Sequence, residues 1–183
     1  MAYISEFAGH RPQIHPSVYL APNAVVLGNV RIGEESSVWF GAVIRGDDPD
    51  NPIVIGAGTS IQDNCVVHVG NWGPTVVGSR VTVGHGAAFE SCTIGDGCVI
   101  GMNAVILQKA SVGAESVVGA GAVITEGAEF PERSVIAGVP ARLRKSLDGR
   151  AAEWIAKGGR HYVELGRAYR EAGIESLRSS TDR

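Results

Sequence analysis

Residues 94–136 read IGDGCV IGMNAV ILQKAS VGAESV VGAGAV ITEGAE FPERSV I, with a large apolar residue at every sixth position: Ile94, Ile100, Ile106, Val112, Val118, Ile124, Phe130 and Ile136. The same step fits upstream at Ile14, Leu20, Val26, Ile32, Val38 and Ile44. It resumes at Ile55, Ile61 and Val67, and again at Val77, Val83 and Phe89. All twenty positions are Ile, Leu, Val or Phe, types that make up about a quarter of the chain. Chance does not supply that. A second rule runs alongside, because the residue four after each anchor is usually small: Ala24, Ser36, Ala42, Thr59, Cys65, Ala87, Cys98, and so on to Ser134. A six-residue repeat of this kind predicts a parallel β-helix. Each hexad forms one short flat side with its anchor inward, three hexads close a triangular coil, and the small residue sits at the corner.

The register breaks place the irregularities. Five extra residues follow Ile44, in the loop Asp47-Asp48-Pro49-Asp50-Asn51-Pro52. Another loop, Gly70-Asn71-Trp72-Gly73-Pro74, interrupts the next coil. Loops inserted into a solenoid commonly carry function. After Pro140 the repeat stops, so residues 1–141 are expected to form the β-helix and 142–183 a helical extension with a disordered tail. Arg150 to Arg170 reads as a helix, with Trp154, Ile155, Tyr162, Leu165 and Tyr169 roughly on one face. Gly158-Gly159 is expected to kink or split it. The last residues, Ser179 to Arg183, read as disordered.

Composition agrees and sets limits. The chain has 25 glycines in 183 residues, about twice the usual share, and few aromatic or charged residues. Glycine weakens helices, so this is no ordinary helical domain. No apolar run is long enough to span a membrane, and Met1 to His15 lacks the basic-then-apolar pattern of an export signal. The three cysteines, Cys65, Cys92 and Cys98, read as reduced thiols, and a cytoplasmic protein is expected. From Arg142 onward there are 10 basic and 6 acidic residues; the preceding part has 6 basic and 13 acidic. The basic tail is expected to dock on its own acidic body. No Lys/Arg-rich run or interleaved aromatics point to nucleic acid.

Every third hexad lies on the same side, one coil higher. Second positions on one side are Leu27, Arg45, His68, Glu90, Leu107 and Thr125. On the next they are Ala21, Trp39, Gln62, Gly84, Gly101 and Gly119, and on the last His15, Gly33, Gly56, Gly78, Gly95 and Gly113. Third positions on the second side stack Phe40, Asp63, His85 and Met102. Polar groups therefore gather at one height on two different sides. His68 and Glu90, on adjacent rungs, suit two ligands of one metal ion. His85 joins them only if the second side of one chain faces the first side of another, a heterologous contact that closes as a ring. A homotrimer with three interfacial His68/His85/Glu90 sites is expected.

The stretches Ser37-Val38-Trp39-Phe40-Gly41-Ala42-Val43-Ile44-Arg45-Gly46-Asp47, Ile61-Gln62-Asp63-Asn64-Cys65-Val66-Val67-His68 and Val83-Gly84-His85-Gly86 resemble the γ-class carbonic anhydrase family. Ala137-Gly138-Val139-Pro140-Ala141 and His161-Tyr162-Val163-Glu164-Leu165 fit too. The resemblance implies a left-handed helix and a trimer with interfacial Zn²⁺ (or Fe²⁺). It implies His68 and His85 as ligands, Arg45 and Asp63 as an intersubunit ion pair, and Gln62 as a residue that orients metal-bound water. Asp47 and Tyr162 would lie near the metal, and Asp47, Asp48 and Asp50 could relay protons. The departure is Glu90, where the family has histidine. Either Glu90 serves as the third ligand, or it pairs with Arg45 or a neighbouring histidine and displaces the metal.

Three functions follow. The first is a carbonic-anhydrase-like lyase in which metal-bound hydroxide attacks CO₂ or another small carbonyl substrate, weakened or redirected by Glu90, with Arg45, Gln62, Glu90 and Tyr162 as catalytic candidates. The second is an acyl-CoA-dependent hexapeptide acyltransferase with His85 as base. The third is a non-catalytic trimeric scaffold descended from the enzyme.

Overall fold

The computed structural model describes residues 1–147 and 149–174, with side chains from Gly159 onward in the C-terminal helix. The side chains of Trp154 and Ile155 and the segment Ser179 to Arg183 lie outside the described residues. The chain is a left-handed parallel β-helix built from three sheets of seven, seven and eight strands.

On the first face, Tyr3–Ser5, Val25–Gly28, Val43–Gly46, Val66–His68, Ala88–Glu90, Val105–Ile106 and Val123–Ile124 stack in that order. The register follows the hexads: Leu27 pairs with Arg45, Arg45 with His68, and His68 with Glu90. Third positions of the second face stack as expected too. Gly86 N bonds to the carbonyl of Asp63, and Asn103 N to that of His85.

The anchors fill the prism. Val26, Val38, Ile44, Ile61, Val67, Val83, Ile100, Ile106, Val118, Ile124 and Ile136 are fully buried. Those at the ends, Ile14, Leu20 and Phe130, are only partly covered. Most of the small corner residues are buried as well, and the hydroxyls of Ser36 and Thr59 tie one coil to the next. Ser36 Oγ donates to the Gly56 carbonyl at 2.8 Å and accepts from Thr59 N at 3.1 Å. Thr59 Oγ1 repeats this one coil on, donating to Gly78 O at 2.8 Å and accepting from Val81 N at 3.1 Å. A polar corner inside the wall is thus satisfied rather than left to cost desolvation energy.

The glycine-lined third face has a steric origin. A Cβ added to Gly95 would stand 2.6 Å from Ala114 N, and one on Gly56 2.6 Å from the Gly78 carbonyl carbon. Backbone of the next coil occupies the space a side chain would need.

The end of the chain departs from the repeat in a way the sequence did not announce. Ala141–Ser146 turns back and pairs antiparallel with Ser134–Gly138, covering the last rung of the second face. Helix α1 then runs from Gly149 to Glu171 as one element, unsplit at Gly158-Gly159. It lies along the second face over Tyr19–Leu20, Ser37–Val38, Ser60–Ile61 and Thr82–Val83. Its glycines serve close approach instead of breaking it. A Cβ on Gly166 would meet the Cβ atoms of Ser37 and Tyr19 at 3.5 Å, and one on Gly159 would meet Arg80 O at 3.4 Å. Tyr169 packs against Tyr19 and Trp39 with ring centroids 5.5 and 5.1 Å apart. Arg167 bonds Glu35 at 2.6 Å, so part of the basic tail docks on the acidic body.

Candidate functional site

Two polar clusters stand on two faces of the prism. The first runs up the first face. The Arg45 guanidinium contacts the Asp47 carboxylate. Asp47 Oδ1 lies 2.9 Å from His68 Nε2, and His68 Nδ1 lies 2.7 Å from Glu90 Oε2. Gln108 Nε2 donates to Glu90 Oε1 at 2.6 Å. Five side chains thus form one continuous line. Both ring nitrogens of His68 therefore face a carboxylate within one chain. Burial alone would raise the Asp47 carboxyl, but the hydrogen bond to His68 and the charge of Arg45 outweigh it and hold Asp47 below the ordinary carboxylate range.

The second cluster is on the second face. His85 Nδ1 lies 2.7 Å from Asp63 Oδ2, the residue directly beneath it in the stack. Buried Gln62 neighbours Asp63 and hydrogen-bonds Tyr162, which α1 brings down onto the face. Burial pushes the Tyr162 phenol up, the Asp63 charge adds to this, and the Gln62 bond only partly opposes them. The phenol is therefore a donor at neutral pH. Trp39 fixes the platform beneath: its Nε1 donates to Ser37 Oγ at 3.0 Å and Ser60 Oγ at 2.9 Å, and its ring packs 6.1 Å from that of Tyr162.

Within one chain, then, Arg45 is paired with Asp47 and Asp63 with His85, and Arg45 and Asp63 are on different faces. Glu90 pairs with His68 and Gln108, not with Arg45. Asp48 is absorbed by its own loop, where its Oδ1 accepts from Asp50 N at 3.0 Å and from Asn51 N at 2.9 Å. Asp50 is exposed. Trp72 folds over Gly70 and stays half-exposed.

Sequence reasoning missed two members of the first cluster. Gln108 is a third-position residue, stacked between Ser91 and Glu126 and outside the second-position column of Arg45, His68 and Glu90. Thr75, fully buried, donates to the His68 carbonyl and accepts from Ser91 N at 2.7 Å, which links the strand ends carrying His68 and Glu90. Its place just after the Trp72 loop was the available signal. The cysteines take no part: burial pushes Cys65 and Cys98 up to about 11 and Cys92 to about 12, so none is a thiolate near neutrality.

Among the described residues of one chain, no three His, Cys, Asp or Glu side chains gather to hold a metal ion. The donors nevertheless fit a divalent ion in kind. His85 has the pose of a ligand: one nitrogen is fixed by a carboxylate, and the other has no partner among the described residues on a side chain 49% exposed. His68 and Glu90 stand side by side on the other face, and a bound ion would replace one of the two carboxylate contacts of the His68 ring, giving a two-imidazole, one-carboxylate set across two faces. Exposed Val66, on the His68 strand, and exposed Met102, stacked after His85, border the two clusters.

Comparison with known proteins places the chain among hexapeptide-repeat and gamma-carbonic-anhydrase relatives. The family described as bacterial transferase hexapeptide (six repeats) matches residues 11–46 and 91–126. The chain is 49% identical over 152 residues to the "Probable carbonic anhydrase" of Methanocaldococcus jannaschii, covering 83% of this chain and 94% of that one. It is 36% identical over 172 residues to the mitochondrial gamma carbonic anhydrase 2 of Arabidopsis thaliana, covering 91% of this chain but spanning only 61% of the plant protein's length. A solved hexapeptide transferase family protein from Anaplasma phagocytophilum superimposes with a TM-score of 0.86 at 34% identity, over 91% of this chain and 98% of that one. No helix among the described residues is long and apolar enough to cross a membrane.

Proposed function

The chain belongs to the γ-carbonic-anhydrase-like hexapeptide-repeat proteins, and from that premise we propose that it interconverts CO₂ and bicarbonate, or hydrates a related small carbonyl compound, at a divalent metal held between copies of the chain. His68 and Glu90 of one copy and His85 of a second would hold the ion, Zn²⁺ or Fe²⁺. The observation that carries this is the pose of His85, oriented through Nδ1 by Asp63 and open at Nε2. The half-exposed apolar residues Val66 and Met102, beside the two clusters, support a contact between the two faces, as a ring of three would make.

A divalent ion there supplies the Lewis acidity that makes water nucleophilic at neutral pH. The chain's own residues do the rest. Gln62, buried and tied to Tyr162, offers an amide to orient water. Tyr162, held protonated, donates toward developing negative charge. Hydration of CO₂ to bicarbonate releases one proton, and Asp47, kept ionised beside His68 and Arg45, is the acceptor nearest the site's outer loop, from which Asp48 and Asp50 lead toward solvent. Glu90 subtracts one positive charge relative to three imidazoles, which weakens the polarisation of water and sets activity on CO₂ below that of an all-histidine site.

Metal analysis of protein purified without chelator, paired with a CO₂-hydration assay after anaerobic Fe²⁺ or Zn²⁺ loading, tests the proposal. Stoichiometric metal and metal-dependent hydration are expected; a chain that takes up no metal rules the reading out. The likeness to the Anaplasma transferase family protein favours one competitor, acyl transfer with His85 as base. Acetyl-CoA binding by metal-free protein would favour that reading.

A further inference from the structure

On the far corner of the prism, away from both polar clusters, a cavity of about 760 Å³ opens between helix α1 and the column of turns joining the third face to the second. Its size lies within the range of small-ligand sites. The column holds one left-handed residue per coil: Glu35, Gly58, Arg80, Gly97, Glu115 and Arg133, with φ between 55° and 65°. Four of these six are not glycine, so the backbone does not demand glycine at 58 or 97. Nor does packing at Cβ. A Cβ at Gly58 would make ordinary 3.7 Å contacts with Arg80 Cγ and Val163 Cγ2, and one at Gly97 would lie 3.7 Å from Glu115 Cγ. What the two glycines do is leave room for more than a Cβ. They open the column above and below Arg80, and the side of α1 carrying Arg160, Val163 and Glu164 roofs the gap.

Charges around the cavity are unevenly committed. Arg167 is held by Glu35 at 2.6 Å, Glu115 by Arg133 at 2.8 Å, and Asp96 by the backbone N–H of Ser79 at 2.8 Å. Arg80, on the floor, and Arg160, on the roof, have no ion-pair partner among the described residues. Glu164 is the one carboxylate of the lining without a bond among them. Two open guanidiniums against one open carboxylate, with Gly58, Gly97, Ala114 and Val163 supplying apolar wall, describe a site for a compact amphipathic anion.

We propose that this groove binds a small organic anion, its carboxylate or phosphate clamped between Arg80 and Arg160 and its short carbon skeleton lying in the notch made by Gly58 and Gly97.

The test uses the full-length protein stripped of metal with EDTA, so that its outcome is independent of any site between His68, Glu90 and His85. Thermal unfolding is followed while succinate or inorganic phosphate is titrated at ionic strength held constant with sodium chloride. A saturable rise in Tm with one of the two is expected, and which one identifies the head group. Arg80→Met and Arg160→Met should each weaken the apparent affinity by about tenfold or more. Gly58→Asn, whose side chain tolerates the left-handed turn and fills the notch, should abolish the response. Circular dichroism confirms that each variant is folded. The proposal fails if neither anion gives a saturable shift, or if the shift survives both arginine variants.

Discussion

Asp63 and His85 occupy the same column of the second face one coil apart, and the carboxylate fixes the imidazole through Nδ1 at 2.7 Å. The pairing is local to one chain, so it exists before any partner arrives. Such a carboxylate sets both the tautomer and the direction of the free nitrogen. Asp63→Asn should therefore lower Zn²⁺ affinity by about 10- to 100-fold while leaving circular dichroism unchanged. Competition with a chromogenic chelator measures this. Equal affinity in the variant would show that Asp63 does not orient a ligand.

Glu90 is the adjustable charge of the first cluster. Glu90→His restores a third imidazole and raises the net charge of a loaded site by one. It should increase the CO₂-hydration rate of metal-loaded protein, whereas Glu90→Leu should lower metal content. A stopped-flow indicator assay and elemental analysis read the two effects. A more active leucine variant would exclude Glu90 as a ligand.

The depressed Asp47 carboxyl makes a directional statement about acid. Its folded pKa is below its unfolded one, so its stabilising contribution is complete above the unfolded value, about 4, and is lost as pH falls through the folded value. In metal-free protein, wild type should lose more Tm between pH 6 and pH 3 than Asp47→Asn does. Parallel slopes for the two proteins would show that the pairs with His68 and Arg45 contribute nothing to folding.

Helix packing gives a sharper contrast at one position. A Cβ on Gly166 would sit at ordinary contact distance, 3.5 Å, from Ser37 and Tyr19. Gly166→Ala should then be neutral or gain up to about 1 kcal/mol from helix propensity. Gly166→Leu must push α1 off the face, at a cost of about 1–3 kcal/mol. Denaturant titration separates them. At Gly95 even alanine should destabilise, because the added carbon meets backbone 2.6 Å away.

The register of the hexads was legible because one side chain in six must point inward and the chain cannot hide an exception. That alone put Arg45, His68 and Glu90 in one column and Asp63 and His85 in another, as the strand pairing and stacking now show. Which partner each polar group takes was not legible. Asp47 lies in a loop outside the repeat, and only its folded path brings it between Arg45 and His68. Gln108 reaches Glu90 from the coil above and off its column, so no stacking rule could find it. The antiparallel Ala141–Ser146 carries no anchor period. The glycine pair in α1 read as a break because propensity sees only the helix, while the wall beneath it uses those glycines for contact.

The corner hydroxyls have a further consequence. Ser36 and Thr59 each tie one coil only to the coil that follows. A molecule coupled in this way is close to a one-dimensional chain of links, and such chains fray inward from their ends. Arg45, His68 and Glu90 occupy the third, fourth and fifth of the seven rungs on their face. Mild heating should release the terminal coils to hydrogen exchange while the middle ones stay closed, so the polar column ought to be among the last parts of the prism to come undone.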